Sequence, residues 1–264
     1  MRSCKTVLLL QSTICNLQYY PHASRSHRTR RNRRCGWHGW LPVHGADWAV
    51  VWTDVCFGTR GSKQLALTFD DGPNDPHTLK LLDVLAKHNV PATFFMIGRY
   101  VRERPEIARA VAAAGHVVGN HTFTHPLLIF QSEAQTRVEL TNCRQALENA
   151  VGAHSNLFRP PFGGRRPATL RIARGLGLET VMWNVTGYDW SAPPASEIEK
   201  KVARQIRGGD VILLHDGGHK AMGADRAQTV VATDNLIRRY KNQGYEFVTV
   251  EEMGPVSRQP SVAG

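Results

Sequence analysis

The 264-residue sequence has no apolar run approaching the roughly 18 residues that a bilayer-spanning helix needs, which excludes a multi-pass membrane protein. Cysteine is sparse. The five residues include no C-x-x-C, and Cys56 stands far from Cys143, so neither a zinc ribbon nor a disulfide scaffold is expected. No internal repeat is visible. Acidic residues are missing altogether from positions 1–45, where eight of the 33 basic residues sit. The formal net charge of +11 is therefore concentrated in that stretch, and the rest of the chain is close to charge balance. A basic total suggests nucleic acid, but the distribution does not support it, and no nucleic-acid partner is expected. Apolar content is not lacking: 42% hydrophobic residues exclude wholesale disorder.

The sequence divides into four stretches. Residues 1–45 are a basic leader. It begins like a secretion signal, with Thr6-Val7-Leu8-Leu9-Leu10 after a basic start, but breaks at Gln11-Ser12-Thr13 without a small-x-small cleavage site. Its composition fits a disordered or targeting segment, and an extracytoplasmic or cell-envelope location is the favoured expectation. Residues 46–62 lead in to the main domain, 63–255 form one α/β domain, and 256–264 are a tail. Trp37, Trp40, Trp48 and Trp52 are read as packing an N-terminal hairpin rather than as a sugar-stacking cluster.

Within 63–255, short apolar runs alternate with amphipathic stretches. Strands are expected at 64–69, 92–97, 116–119, 157–159, 179–184, 210–215 and 247–250. Helices are expected at 77–88, 105–114, 169–175, 198–206 and 228–243, with a long one to Val151 opened by the capping-box pattern Ser132-Glu133-Ala134-Gln135. Apolar strands in β-then-α order imply a parallel sheet covered by helices, and about seven of them favour a small, deformed (β/α) barrel. In such folds the site gathers at the C-terminal strand ends.

Those ends carry Asp70-Asp71, His121, Arg159, Asn184 with Asp189 close behind, and His215. His121 and His125 have the i, i+4 spacing that puts two imidazoles on one face of a helical turn. With a carboxylate from Asp71 they make a two-histidine, one-carboxylate set for zinc or a similar first-row ion. The second H-x-x-x-H, His215 and His219, has Gly217-Gly218 between its histidines, which disfavours a helix, and is set aside as a metal pair. Of the adjacent aspartates, one binds the metal and its neighbour takes a proton from the attacking water, with Gly72 and Pro73 fixing the turn.

Thr68-Phe69-Asp70-Asp71-Gly72-Pro73 resembles the first motif of the NodB-homology polysaccharide deacetylases (carbohydrate esterase family four). His121-Thr122-Phe123-Thr124-His125-Pro126, Arg159-Pro160-Pro161-Phe162-Gly163, Asp189-Trp190 and Ile212-Leu213-Leu214-His215 are similar to the motifs that follow, in order, over about 63–253. The resemblance implies a deformed (β/α) barrel and metal-dependent hydrolysis of N- or O-acetyl groups on a poly- or oligosaccharide. It implies Asp70 as general base, Asp71, His121 and His125 as metal ligands, and His215 as the acid that protonates the leaving amine. Zinc is the expected ion, with cobalt, nickel or iron as alternatives. Arg159 holds Asp70 by a charge-assisted contact, and Asp189 orients either Arg159 or His215. Trp190 and Leu213 wall the groove for the acetyl methyl. Phe162 departs from the family's usual Tyr; its backbone N–H can still serve the oxyanion, while a hydroxyl contact is lost.

Two rival readings are a metal-independent cyclic amide hydrolase on the same fold and a non-catalytic carbohydrate-binding barrel. The complete ligand set weighs against the first, and retention of Asp70 and His215 against the second. His77, His88 and His154 read as surface or loop residues, Lys200-Lys201 and Arg238-Arg239 as solvated helix faces, and Arg226 as a possible substrate contact.

Overall fold

A computed structural model describes residues 58–152 and 155–253. The leader, the four tryptophans before residue 53, His154, the C-terminal tail and every cysteine except Cys143 lie outside the described residues. Cys143 is a buried free thiol. No helix among the described residues is long and apolar enough to cross a membrane.

The sheet is built on β1 (Gln64–Gly72), nine residues long. On one side it pairs in parallel with β2 (Thr93–Met96), then β3 (Val117–Asn120), β4 (Leu157–Phe158) and β5 (Glu179–Thr180). On the other it pairs with β7 (Asp210–His215), beyond which lies β6 (Val185–Thr186). A short β8 (Glu246–Phe247) joins the start of β1. All pairings are parallel, and none closes β5 onto β6 among the described residues, so the sheet curls as a half-barrel.

Alternation along the strands separates two apolar layers. Leu65, Leu67 and Phe69 of β1 and Ile212 and Leu214 of β7 pack against helical residues such as Leu81, Leu85, Leu236 and Ile237. These come from α1 (His77–His88) and, near the end of the chain, the helix Ala227–Asn242. Ala66, Val211 and Leu213 face inward with Phe95, Leu157, Met182 and Trp183. Thr68 and Asp70 share the inward parity, so the barrel interior becomes polar toward the strand ends. The long helix Glu133–Val151 starts at the expected capping box: Gln135 N donates to Ser132 Oγ (3.2 Å) and Ser132 N to Gln135 Oε1 (2.8 Å).

Three expected elements differ. Gly98 does not merely stop a strand but opens a short helix, Gly98–Glu103. The strand expected at 247–250 ends at Phe247, because Val250 already begins the helical turn Val250–Met253. The strand expected at 179–184 breaks after Thr180, and the chain resumes as β6 at Val185. The break has a cause: the carbonyls of Val181 and Met182 accept from the Arg159 guanidinium at 3.4 and 3.3 Å.

Asn184, expected among the site residues at a strand end, instead precedes β6 beside the start of β7. Its amide donates to Asp210 Oδ1 (2.6 Å) and its oxygen accepts from Val211 N (2.8 Å). Asn184→Ala leaves both partners short of a bond, at a cost of about 1–2 kcal/mol. The expected result is a lower denaturant midpoint with kcat unchanged, read by urea unfolding and steady-state kinetics.

Candidate active site

Asp70 ends the run of β1 paired with β7, and Arg159 follows β4. The guanidinium is fully buried and spans the barrel interior to meet the carboxylate, with Nη1 donating to Asp70 Oδ1 at 2.8 Å. The same nitrogen donates to Thr68 Oγ1 (2.7 Å), whose hydroxyl in turn donates to Ile212 O (2.7 Å). Phe95 lies under the guanidinium at 4.1 Å and Trp183 at 5.5 Å. A charge-assisted pair of this kind fixes the carboxylate's position as well as its partner.

Asp71, His121 and His125 are buried together, with one ligand atom from each lying within 4.8 Å of the others. His121 Nδ1 lies 2.8 Å from Arg159 O, and a carbonyl can only accept, so that nitrogen donates and Nε2 is the one that faces the cluster. Asp71 Oδ1 is buried without a hydrogen-bond partner among the described residues, while His125 Nε2 and His121 Nε2 stand 3.1 and 3.5 Å from it. Burial pushes His125 down to about 4, leaving it neutral near pH 7. Burial alone would raise Asp71, but the histidines around it hold its carboxyl well below the usual range. A charged Asp71 carboxylate and a neutral His125 are protonation states that suit metal binding, and with His121 Nε2 turned to the same point the residues fit one divalent cation. The helical turn expected for 121–125 is absent. Thr122 and His125 sit at φ 66° and 61°, and this left-handed loop brings the two rings to 4.8 Å between centroids.

His215 ends β7 directly beside Asp70, since strand register pairs the two Cα atoms. Asp189, left between two partners by the sequence, belongs to His215: Oδ1 faces its Nδ1 at 2.8 Å and Oδ2 accepts its backbone N–H at 2.8 Å. Thr229 Oγ1 also donates to Asp189 (2.9 Å). Burial opposes a charged His215, but the Asp189 carboxylate, helped by Asp71 and Asp70, prevails and raises it to about 9. Burial likewise opposes the charge on Asp189, yet His215 and Thr229 hold it lowered. Trp190 meets His215 edge-on at 5.6 Å. Leu213 is buried in the inward layer two residues below His215. Phe162, at φ 57°, sets its ring against His125 at 4.6 Å.

The structure brings Asp70, Asp71, His121, His125, Arg159, Phe162, Asp189, Trp190 and His215 to one end of the half-barrel. Arg226 is buried, and its Nε donates to Gly217 O (2.7 Å), bracing the loop after β7. His88 pairs with Asp234 (2.6 Å), and His77, buried rather than at the surface, pairs with Asp225 (3.2 Å).

Two residues at the site escaped sequence reasoning. His219, set aside with its glycine-containing spacing, stacks on His125 at 4.9 Å. Asp216 is buried under Gly72, where a Cβ would stand 2.1 Å from its Oδ2, and accepts from Thr78 Oγ1 (2.5 Å). Burial, together with nearby Asp71 and Asp70, pushes Asp216 up to about 7. The only sequence signal for either is adjacency to His215.

A family model described as polysaccharide deacetylase matches residues 57–181. Similar proteins include a peptidoglycan-N-acetylglucosamine deacetylase of Bacillus cereus, 37% identical over 196 residues, covering 74% of this chain and 89% of that protein. A chitooligosaccharide deacetylase of Bradyrhizobium sp. is 40% identical over 194 residues, covering 71% and 89%. A crystal structure of a peptidoglycan N-acetylglucosamine deacetylase with 4-naphthalen-1-yl-N-oxidanyl-benzamide superposes with a TM-score of 0.72 at 33% identity, covering 78% of this chain and 95% of that one. With 37% identity over 74% of the chain to a curated deacetylase and a matching fold, the chain belongs to the polysaccharide deacetylase family.

Proposed function

We propose that the chain hydrolyses the acetamide of an N-acetylated sugar in a poly- or oligosaccharide, releasing acetate and leaving a free amine. The deacetylases among its relatives support this substrate class. The observation that carries the reading is the register of β1 on β7, which sets Asp70 beside His215 at the same end as the Asp71–His121–His125 set. A carboxylate base and an imidazolium acid thus flank one candidate metal site.

Asp71, His121 and His125 would hold a divalent ion, zinc by the nature of the donors, which when bound would supply Lewis-acid chemistry toward a water and the acetyl carbonyl. Asp70, gripped through Oδ1 by Arg159, takes the proton of the attacking water. The N–H of Phe162 donates to the carbonyl oxygen as negative charge develops there. Amide cleavage needs a proton on nitrogen, because an amide anion is a very poor leaving group. His215, kept protonated by Asp189, delivers it. Trp190, edge-on to His215, walls the groove, and Leu213 closes its floor.

Acetate release from N-acetylglucosamine oligomers, peptidoglycan and acetylated xylan tests the reading. The expected pattern is release from the N-acetylated substrates, abolished by chelator and restored by zinc. Release confined to the xylan, or indifferent to chelator, overturns it. Asp70→Asn and His215→Ala are each expected to lower kcat by about two to four orders of magnitude, the usual size of acid–base contributions; near-wild-type turnover in either removes that role.

The proton on His215 also predicts a pH profile. An acid catalyst works below its pKa, so activity should fall as pH rises through about 9. Asp189→Asn removes the charge that raises His215, and should move the alkaline limb of kcat/KM to lower pH. An unmoved limb in this variant excludes His215 as the group responsible.

A further inference from the structure

The loop leaving β7 carries a histidine that the reaction above does not use, yet the loop is tied down at nearly every step. Asp216 N and Gly217 N donate to Asp70 O (3.2 and 3.4 Å), and Tyr100 Oη donates to Gly218 O (3.1 Å). Arg99 Nη2 donates to the carbonyl of His219 itself (2.5 Å). Further along, Asn74 Nδ2 donates to Ala224 O (2.9 Å), and Gly223 N to Asn74 Oδ1 (2.6 Å). The approach is close enough that a Cβ on Gly217 would stand 2.1 Å from Asp71 O.

The consequence is a fixed His219 ring over the metal-ligand set. It lies nearly parallel to His125 (4.9 Å, 21°) and edge-on to Phe162 (5.1 Å, 80°). Its Nδ1 stands 3.8 Å from Asp71 Oδ2, within ion-pair reach. Asp71 is therefore bracketed, with Oδ1 toward His121 and His125 and Oδ2 toward His219.

We propose that His219 is a positioning residue for the Asp71 carboxylate: its Nδ1, within ion-pair reach of Oδ2, draws that oxygen away from the metal position, so that Asp71 presents Oδ1 alone. The inference rests on reading Asp71, His121 and His125 as the metal set. Of the two ring nitrogens of His219, Nδ1 is the one turned to the carboxylate, whose oxygens can only accept. A donor behind a ligand fixes the ligand's orientation, and removing such partners typically costs about 10–100-fold in metal affinity.

Stacking and donation are separable by substitution. Phe at 219 keeps the ring on His125 but has no donor; Asn keeps a donor on Cγ, where the imidazole has Nδ1, but loses the ring. Metal-free wild type, His219→Phe, His219→Asn and His219→Ala are titrated with zinc against a chromophoric chelator, with thermal unfolding of each metal-free form recorded alongside. His219→Phe and His219→Ala are expected to bind zinc about 10–100-fold more weakly. His219→Asn recovers most of the loss, with metal-free Tm values alike. Wild-type zinc affinity in His219→Phe overturns the proposal, as does a loss that Asn fails to recover. Wild-type protein that binds no zinc overturns the metal set itself, and this inference with it, so the two failures are distinguishable.

Discussion

The fully buried guanidinium of Arg159 is the constraint around which this half-barrel is arranged. An unpaired charge in such an interior costs several kcal/mol even after relaxation, and burying it is tolerable only with a counter-charge and satisfied donors. Each demand shapes the chain. Asp70 supplies the counter-charge, Thr68 an acceptor, and Val181 and Met182 give carbonyls that a regular strand would have spent on its neighbour. The gap between β5 and β6 is thus the structural consequence of housing the arginine. Phe95 and Trp183 complete the cavity by offering π faces to the cation.

Charge around the site is arranged in opposed pairs. Arg159 backs Asp70 and Asp189 backs His215, each partner lying behind its group and leaving the facing side of the pair to the reaction. Register alone makes Asp70 and His215 neighbours, since they are Cα partners on adjacent strands. Asp70, Asp71 and Asp216 crowd three carboxyl groups into one corner. With its carboxyl pushed up to about 7, Asp216 is protonated well above the usual carboxylate range, which lightens the third negative charge in the corner. It then acts through hydrogen bonds, joining the exit of β7 to that of β1 through Thr78 and Asn74.

Much of this was legible in the sequence because strand and helix periodicity are local signals. Leu65 to Phe69, the capping box at Ser132 and the polar residues that end β1, β3 and β7 could all be read without knowing the fold. Partners across the barrel could not. Asp189 stands 26 residues from His215, and only the folded sheet decides that it serves the histidine rather than Arg159. Asn184 looked like a site residue because an unbroken strand was assumed from 179 to 184. Gly217 argued correctly against a helix at 215–219, but a histidine can reach a site without one. That same glycine lets the loop lie against Asp71, which is how His219 arrives there.

The spacing of His121 and His125 carries the same lesson in stronger form, because the two rings converge without the helix that usually explains i, i+4 convergence. Left-handed backbone at Thr122 and His125 does the work, and Asp71 and Phe162 at the same site are left-handed too. For non-glycine residues such conformations cost about 1–3 kcal/mol each and persist only where the surroundings over-determine them. Here the surroundings are visible. Asn120 Oδ1 accepts from Thr122 N (2.9 Å), and Thr122 Oγ1 accepts from His125 N (3.1 Å). Glu139, on the long helix, accepts from Phe123 N, Thr124 N and Thr124 Oγ1 at 2.7–2.9 Å. A helical turn would hold two imidazoles with its own backbone bonds; this loop borrows its rigidity from Asn120 and Glu139. The metal-ligand geometry is thereby tied to the packing of the long helix on the sheet.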